Sequence, residues 1–221
     1  MQSPGAAILS EPARYGELEA YVTGVIGHLA SDERVLAWDL FNEPDNPNPA
    51  YAGAEMADKA EKAFRLLREV YGWAWKVRPA QPLTSGVWRP EWVTSGATSE
   101  LDEYQLSESD VVSFHAYAGL ETIQKRVDEL GAYGRPILLT EYLARGFGNT
   151  FESVLPTAKE RRLGMFCWGL VSGKTQTIYP WDSWVRAYDE EPTVWFHDVL
   201  RADGSAYDER EVAFLRQITG V

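Results

Sequence analysis

Two glutamates in this chain stand where carboxyl chemistry is useful. Asn42-Glu43-Pro44 follows the apolar run VLAWDLF at 35–41, and Glu141 ends the apolar run ILLT at 137–140. Short apolar runs of this kind suit buried strands, so both carboxyl groups fall at strand ends. Two carboxyl groups facing one cleft can divide the work, one protonating a leaving oxygen while the other attacks the electron-poor carbon. An isolated Asn-Glu-Pro is equally what a solvated carboxylate beside a turn proline looks like, so the argument rests on the pair. A third run, VVSFHAY at 111–117, carries His115 and Tyr117, whose period-two spacing sends both to one face of a strand. His115 could also be a core histidine bonded to backbone. A fourth run, MFCWGLV at 165–171, carries Trp168, where packing is the commoner role of a tryptophan. Trp88 ends PLTSGVW at 82–88, while Trp181 and Trp184 follow the last run; these could line a cleft or only cover its mouth. Lys174 and Gln176 could make contacts there or be solvated. His28 and His197 read as structural, and three scattered histidines show no zinc spacing.

The elements that must position these residues follow from the apolar pattern. Leu18, Val22, Val25, Ile26 and Leu29 predict a helix over 12–30, with Pro12 in its first turn. Met56, Ala60, Ala63, Phe64, Leu67, Val70, Tyr71 and Ala74 predict a second over 54–77, stopped by Pro79. Further helices are expected at 120–132, 151–163 and 208–218, and strands at 35–41, 82–88, 111–117, 136–142 and 165–171, with a long loop from 172 to 207. Strands alternating with helices imply parallel βαβ units, hence the α/β class. No repeat, low-complexity tract or linker marks a second domain.

Composition narrows the partners. The formal net charge is −12, from 33 acidic against 21 basic residues, which disfavours nucleic acid and anionic membranes. No apolar stretch has the length of a membrane helix, and MQSPGAAILS lacks the basic start and apolar core of an export signal. Cys167 is the only cysteine and reads as a buried inert thiol. Nine Trp, eleven Tyr and eight Phe supply many flat apolar faces, which sugar clefts use and ordinary cores use too.

Taken in order, LFNEP, SFHAY, LLTEY and FCWGL resemble strands four, six, seven and eight of clan A glycoside hydrolases, nearest to glycoside hydrolase family 5. The resemblance spans roughly residues 12–218. It implies a retaining mechanism without metal or organic cofactor, with Glu43 as acid/base, Glu141 as nucleophile and Asn42 on the sugar 2-hydroxyl. It further implies that His115 and Tyr117 support the site, with Tyr117 bonded to the nucleophile, and that Trp168 is a sugar platform; Trp88 is added as a substrate contact. The implied fold is a partial (β/α)8 TIM barrel, strands four to eight with their helices, in one catalytic domain over 1–221 that lacks the first three βα units. The substrate would be a β-linked glucan, mannan or xylan, and the alternative is a non-catalytic carbohydrate-binding remnant. A sheet of five such strands cannot close, so self-association through open edges is expected, with Ile137 and Leu139 more exposed than a barrel core allows.

Overall fold

The computed structural model describes residues 4–47, 49–89 and 98–220. Met1, Gln2 and Ser3 of the segment read for an export signal, and Asn48 after the Asn42-Glu43-Pro44 motif, lie outside the described residues. In chain order the elements are α1 (Ala6–Ser10), α2 (Tyr15–Leu29), β1 (Trp38–Asp39), α3 (Lys59–Val77), β2 (Leu83–Thr84), α4 (Glu100–Glu108), β3 (Val112–His115), α5 (Leu120–Leu130), β4 (Ile137–Tyr142), α6 (Phe151–Glu160), β5 (Gly164–Cys167) and α7 (Glu209–Thr219). One sheet has the order β1-β2 and the other β3-β4-β5, and the β1–β2 and β4–β5 pairs are parallel. The α/β class is therefore observed. The chain divides into two compact units, Met1–Ser113 and Phe114–Val221.

The first unit is organised by α3, which carries two apolar stripes. Leu67, Tyr71 and Ala74 pack with Ile26 of α2, Leu83 of β2 and Leu101 of α4. Leu66, Val70 and Trp73 pack with Leu9 and Tyr15. Spacings of four and three residues keep each stripe on one face of the helix. The helix begins at Lys59 rather than 54, because Pro49–Ala54 forms a 3-10 turn instead. β1 is two residues long where the apolar run predicts seven. Its ladder is set by Trp38 N–H to Pro82 O (2.9 Å) and Leu40 N–H to Thr84 O (2.8 Å). Before it, Val35 N–H bonds back to Asp32 O (3.1 Å), and after it the chain turns at Glu43, so the ends of the run belong to turns. α4 was not foreseen, although Ser99 and Asp102 form a capping box at its start, a signal readable in the sequence.

In the second unit β4 and β5 pair with Leu138 opposite Gly164, Leu139 opposite Met165 and Tyr142 opposite Cys167, with a register shift after Leu139. The last strand ends at Cys167, not 171, because Gly169 adopts a φ of 84° and turns the chain out of the sheet. Residues 172–207 are more ordered than a long loop: Val171 bridges Leu200, Leu200 bridges Ala206, and Trp181–Trp184 is a 3-10 turn. Thr150 and Ser153 cap α6 reciprocally.

The exposure expected of the inward residues is not found at Leu139, which is fully buried, while Ile137 is half-buried. The packing around β4 covers Leu139 without residual solvent contact. Leu139→Ala should therefore cost about 2–5 kcal/mol of stability, read as a lower urea midpoint with an unchanged slope.

Candidate active site

Each unit carries one of the two glutamates, and each has its own support. In the first, Glu43 has a φ of 42°, a left-handed conformation that a non-glycine residue adopts only when its surroundings impose it. Asn46 N–H donates to Glu43 O (3.0 Å), closing a turn, and Asn46 Nδ2 donates to the Glu43 carboxylate. Lys59, at the start of α3, is buried, donates to Asn46 O (2.5 Å) and pairs with Glu55 at 3.2 Å. Asp45 accepts from Trp88 Nε1 (2.8 Å) and pairs with Arg89 (2.5 Å), which also donates to Ser99 Oγ (3.1 Å). The loop after β1 is thus pinned from both sides. A cavity of about 280 Å³ is lined by Phe41, Asn42, Glu43, Asn46 and Lys59, among others, and Asn42 itself is exposed.

In the second unit Glu141, near the C-terminal end of β4, is buried to 9% exposure. Tyr117 OH donates to Glu141 Oε2 at 2.7 Å, the contact implied by the family resemblance. A hydrogen bond onto an ionised oxygen is among the stronger kinds and fixes its orientation. His115 is buried, with Nδ1 3.6 Å from Glu141 Oε2, and its carbonyl accepts from Arg126 Nη1 (2.6 Å). Trp168 begins the turn out of β5, 44% exposed, and its N–H donates to Tyr142 O (2.9 Å). Both Trp168 and Glu141 lie at the C-terminal ends of their parallel strands. The Cys167 thiol is half-buried, and burial pushes its pKa up, so it stays protonated.

Trp88 braces this loop through its ring N–H, which Asp45 accepts. Several supporting residues escaped the sequence reading. Asn46 sits in a turn three residues after Glu43, a spacing at which Asn often bonds locally, so a signal existed. Asn149 had none, while His197, which reads as structural in the sequence, is found as a buried brace. Leu143, just past β4, has a φ of 82° and is fully buried. Its N–H donates to Asn149 Oδ1 (2.6 Å), and its carbonyl accepts from His197 Nδ1 (2.5 Å). That bond fixes the His197 tautomer with its proton on Nδ1. The His197 ring meets the Tyr117 ring edge-on, with centroids 5.4 Å apart. Gly169 is required beside them: with its φ of 84°, a Cβ there would come 2.8 Å from both Asp198 Oδ1 and His197 Cβ.

Residues 30–158 match the family model of the glycosyl hydrolase catalytic core, a span that includes Asn42-Glu43-Pro44 and Glu141. The chain belongs to this family. Solved structures show how its fold recurs. Over 93% of this glycosyl hydrolase chain and 37% of the other, a GH2 β-galacturonidase from Eisenbergiella tayi superposes with a TM-score of 0.62 at 12% identity. A GH10 endo-β-1,4-xylanase from Gloeophyllum trabeum superposes over 93% and 66%, with a TM-score of 0.53 at 15% identity. A β-1,4-mannanase from the sea hare Aplysia kurodai gives 0.50 at 17% identity over 69% and 55%. The chain therefore spans about a third to two thirds of the length of these proteins. Its mixed α/β fold with parallel sheets is that of TIM-barrel glycosidases. No curated protein matches the chain.

Burial holds the His197 pKa at about 4, below the ordinary imidazole value of 6.5. The native ring then binds fewer protons than the unfolded one between those values, so this contribution to stability is present above 6.5 and lost as pH falls toward 4. The unfolding free energy should decline across that window, and the His197 resonances should titrate near pH 4 by NMR. A midpoint at or above 6.5 would contradict a buried neutral ring.

Proposed function

We propose that this chain is a retaining glycoside hydrolase, nearest to family 5, that cleaves O-glycosidic bonds in a β-linked glucan, mannan or xylan through a covalent glycosyl-enzyme. Residues 1–221 act as one catalytic domain on strands corresponding to four to eight of a (β/α)8 barrel. The observation that carries the reading is Tyr117 OH on Glu141 Oε2 at the C-terminal end of a parallel strand, in a chain whose family match includes both glutamates.

Glu141 attacks the anomeric carbon while Glu43 gives its proton to the departing oxygen. Water then attacks the glycosyl ester, with Glu43 taking the proton back. Tyr117 stabilises the carboxylate charge and keeps Oε2 in one orientation. Asn42 binds the sugar 2-hydroxyl, His115 and Trp168 complete the contacts around the reacting ring, and no metal or organic cofactor enters these steps. The chemistry of the xylanase and mannanase neighbours supports a β-linked polymer as substrate.

Proton transfer of this kind contributes roughly 10²–10⁴-fold. Glu43→Gln should lose about that much in kcat/KM on oligosaccharides and much less in kcat/KM on an aryl glycoside, whose leaving group needs no acid in the first step. Glu141→Gln should abolish both activities. Tyr117→Phe should lower kcat roughly tenfold to a hundredfold. A 2-fluoro aryl glycoside should leave a sugar ester on Glu141, seen by peptide mass spectrometry. Labelling elsewhere, or a product of inverted anomeric configuration, would reject the mechanism. Glycan binding without turnover would leave the non-catalytic reading.

The reading extends to self-association with a second copy. Among the described residues β5 pairs with β4 alone in its sheet, and Phe166 and Leu170 beside that edge are 45% and 59% exposed. Light scattering should show mass rising with concentration, and Phe166→Lys should suppress it. A monomer at all concentrations would end the proposal.

A further inference from the structure

A group of aromatic side chains in the second unit is not used by the mechanism above. Trp181 packs edge-on against Tyr117 (5.0 Å between centroids) and Phe147 (5.4 Å), and stacks with Trp184 at 6.5 Å and 30°. Phe196 lies beneath, 5.4 Å from Trp181 and 5.2 Å from Phe147. Trp181 and Phe196 are covered to different degrees, but Phe147 remains 54% and Trp184 52% exposed. Large aromatic rings left in contact with water as a contiguous group are unusual on a surface without a binding role.

Phe147 belongs to the turn after β4 and Trp184 to the segment after β5. Both therefore lie beyond the C-terminal ends of the strands, on the face that carries Glu141. The aromatic contacts form a continuous line: Tyr117 bonds Glu141, Trp181 packs on Tyr117, and Trp184 and Phe147 flank Trp181. The turn holding the two tryptophans is fixed by Ser183 N–H to Pro180 O (2.9 Å) and by Tyr188 OH to Asp182 Oδ1 (2.7 Å). A rigid, partly wet aromatic surface leading away from a carboxylate suits the apolar face of a sugar ring, which stacks without giving up its equatorial hydroxyls to the protein.

We propose that Trp184 and Phe147, backed by Trp181, form a distal subsite for a further sugar of a glycan chain, so that the enzyme favours chains over single glycosides. This rests on the glycosidase reading, and binding tests it apart from turnover. The probe is affinity electrophoresis of the full chain carrying Glu141→Gln through gels containing mixed-linkage β-glucan, xylan or galactomannan, with α-linked dextran as control. Retardation is expected on at least one β-linked gel and none on dextran. Adding Trp184→Ala or Phe147→Ala should weaken it between about twofold and tenfold, with Trp184→Phe restoring most of it. In the otherwise unaltered enzyme, Trp184→Ala should raise KM for a long oligosaccharide by a similar factor while leaving aryl monoglycoside hydrolysis unchanged. Both positions are half exposed, so the melting temperature should not move. No retardation on any β-linked gel, or retardation indifferent to both substitutions, overturns the subsite whether or not the enzyme turns over; binding with no turnover keeps the subsite and fails the catalytic reading.

Discussion

The second unit depends on how β4 is made to end. Leu143 is forced into a left-handed conformation that costs a side-chain-bearing residue about 1–3 kcal/mol, and it is held by one hydrogen bond on each side, from its N–H to Asn149 and from His197 to its carbonyl. Reversing the chain there, one residue past the strand, leaves Glu141 at the strand end while Asn149 Nδ2 reaches across to Ala118 O (2.7 Å). The segment after β3, which carries Tyr117, is thereby tied to the same turn. The phenol that bonds Glu141 and the turn that presents Glu141 are placed by one small network.

That network needs His197 in place, and the surrounding structure secures it. Arg145 makes a two-bond ion pair with Glu211 of α7 (2.8 and 2.6 Å) and donates to Trp195 O (3.1 Å), while its own N–H bonds Phe196 O (3.1 Å). Trp195 stacks on Tyr207 at 4.6 Å, with Arg201 over Trp195 and Arg145 over Tyr207. The pair is nearly buried, and breaking one partner would strand a charge without solvent. The segment from Trp195 to Asp198, distant in sequence from β4, is thus docked rigidly enough for its histidine to brace a strained turn.

The sequence was most legible where chemistry and periodicity coincide. Both glutamates, the His115 and Tyr117 pair and Trp168 are short polar or aromatic interruptions at the ends of apolar runs, and the structure finds Glu141 and Trp168 at the C-terminal ends of the parallel pair β4 and β5, with His115 ending β3. The helices were legible because one or two apolar stripes repeat over many residues, as in α3. The strands were overread at their ends, since an apolar run does not say where the ladder stops, and turns at Asp32, Glu43 and Gly169 claim the remainder. Residues that act through backbone groups, such as Asn149 and His197, carry no spacing signal because their partners lie in turns whose shape depends on the whole unit. α4 is the exception that was there to be read, in Ser99 and Asp102.

The loop of Glu43 is built on a different principle. It too contains a left-handed non-glycine residue, but that residue is the glutamate itself, so the strain sits directly under the functional group. The restraint there is mostly electrostatic, through Lys59 on a backbone carbonyl and Arg89 and Trp88 on Asp45, and much of it comes from buried or half-buried groups. In the role proposed for it, Glu141 has to hold one line of attack, which favours the directional bonds around it. The acid/base role proposed for Glu43 requires it to exchange a proton twice in a cycle, and a loop anchored through backbone groups, Asp45 and Lys59 holds its place while that carboxyl group changes charge.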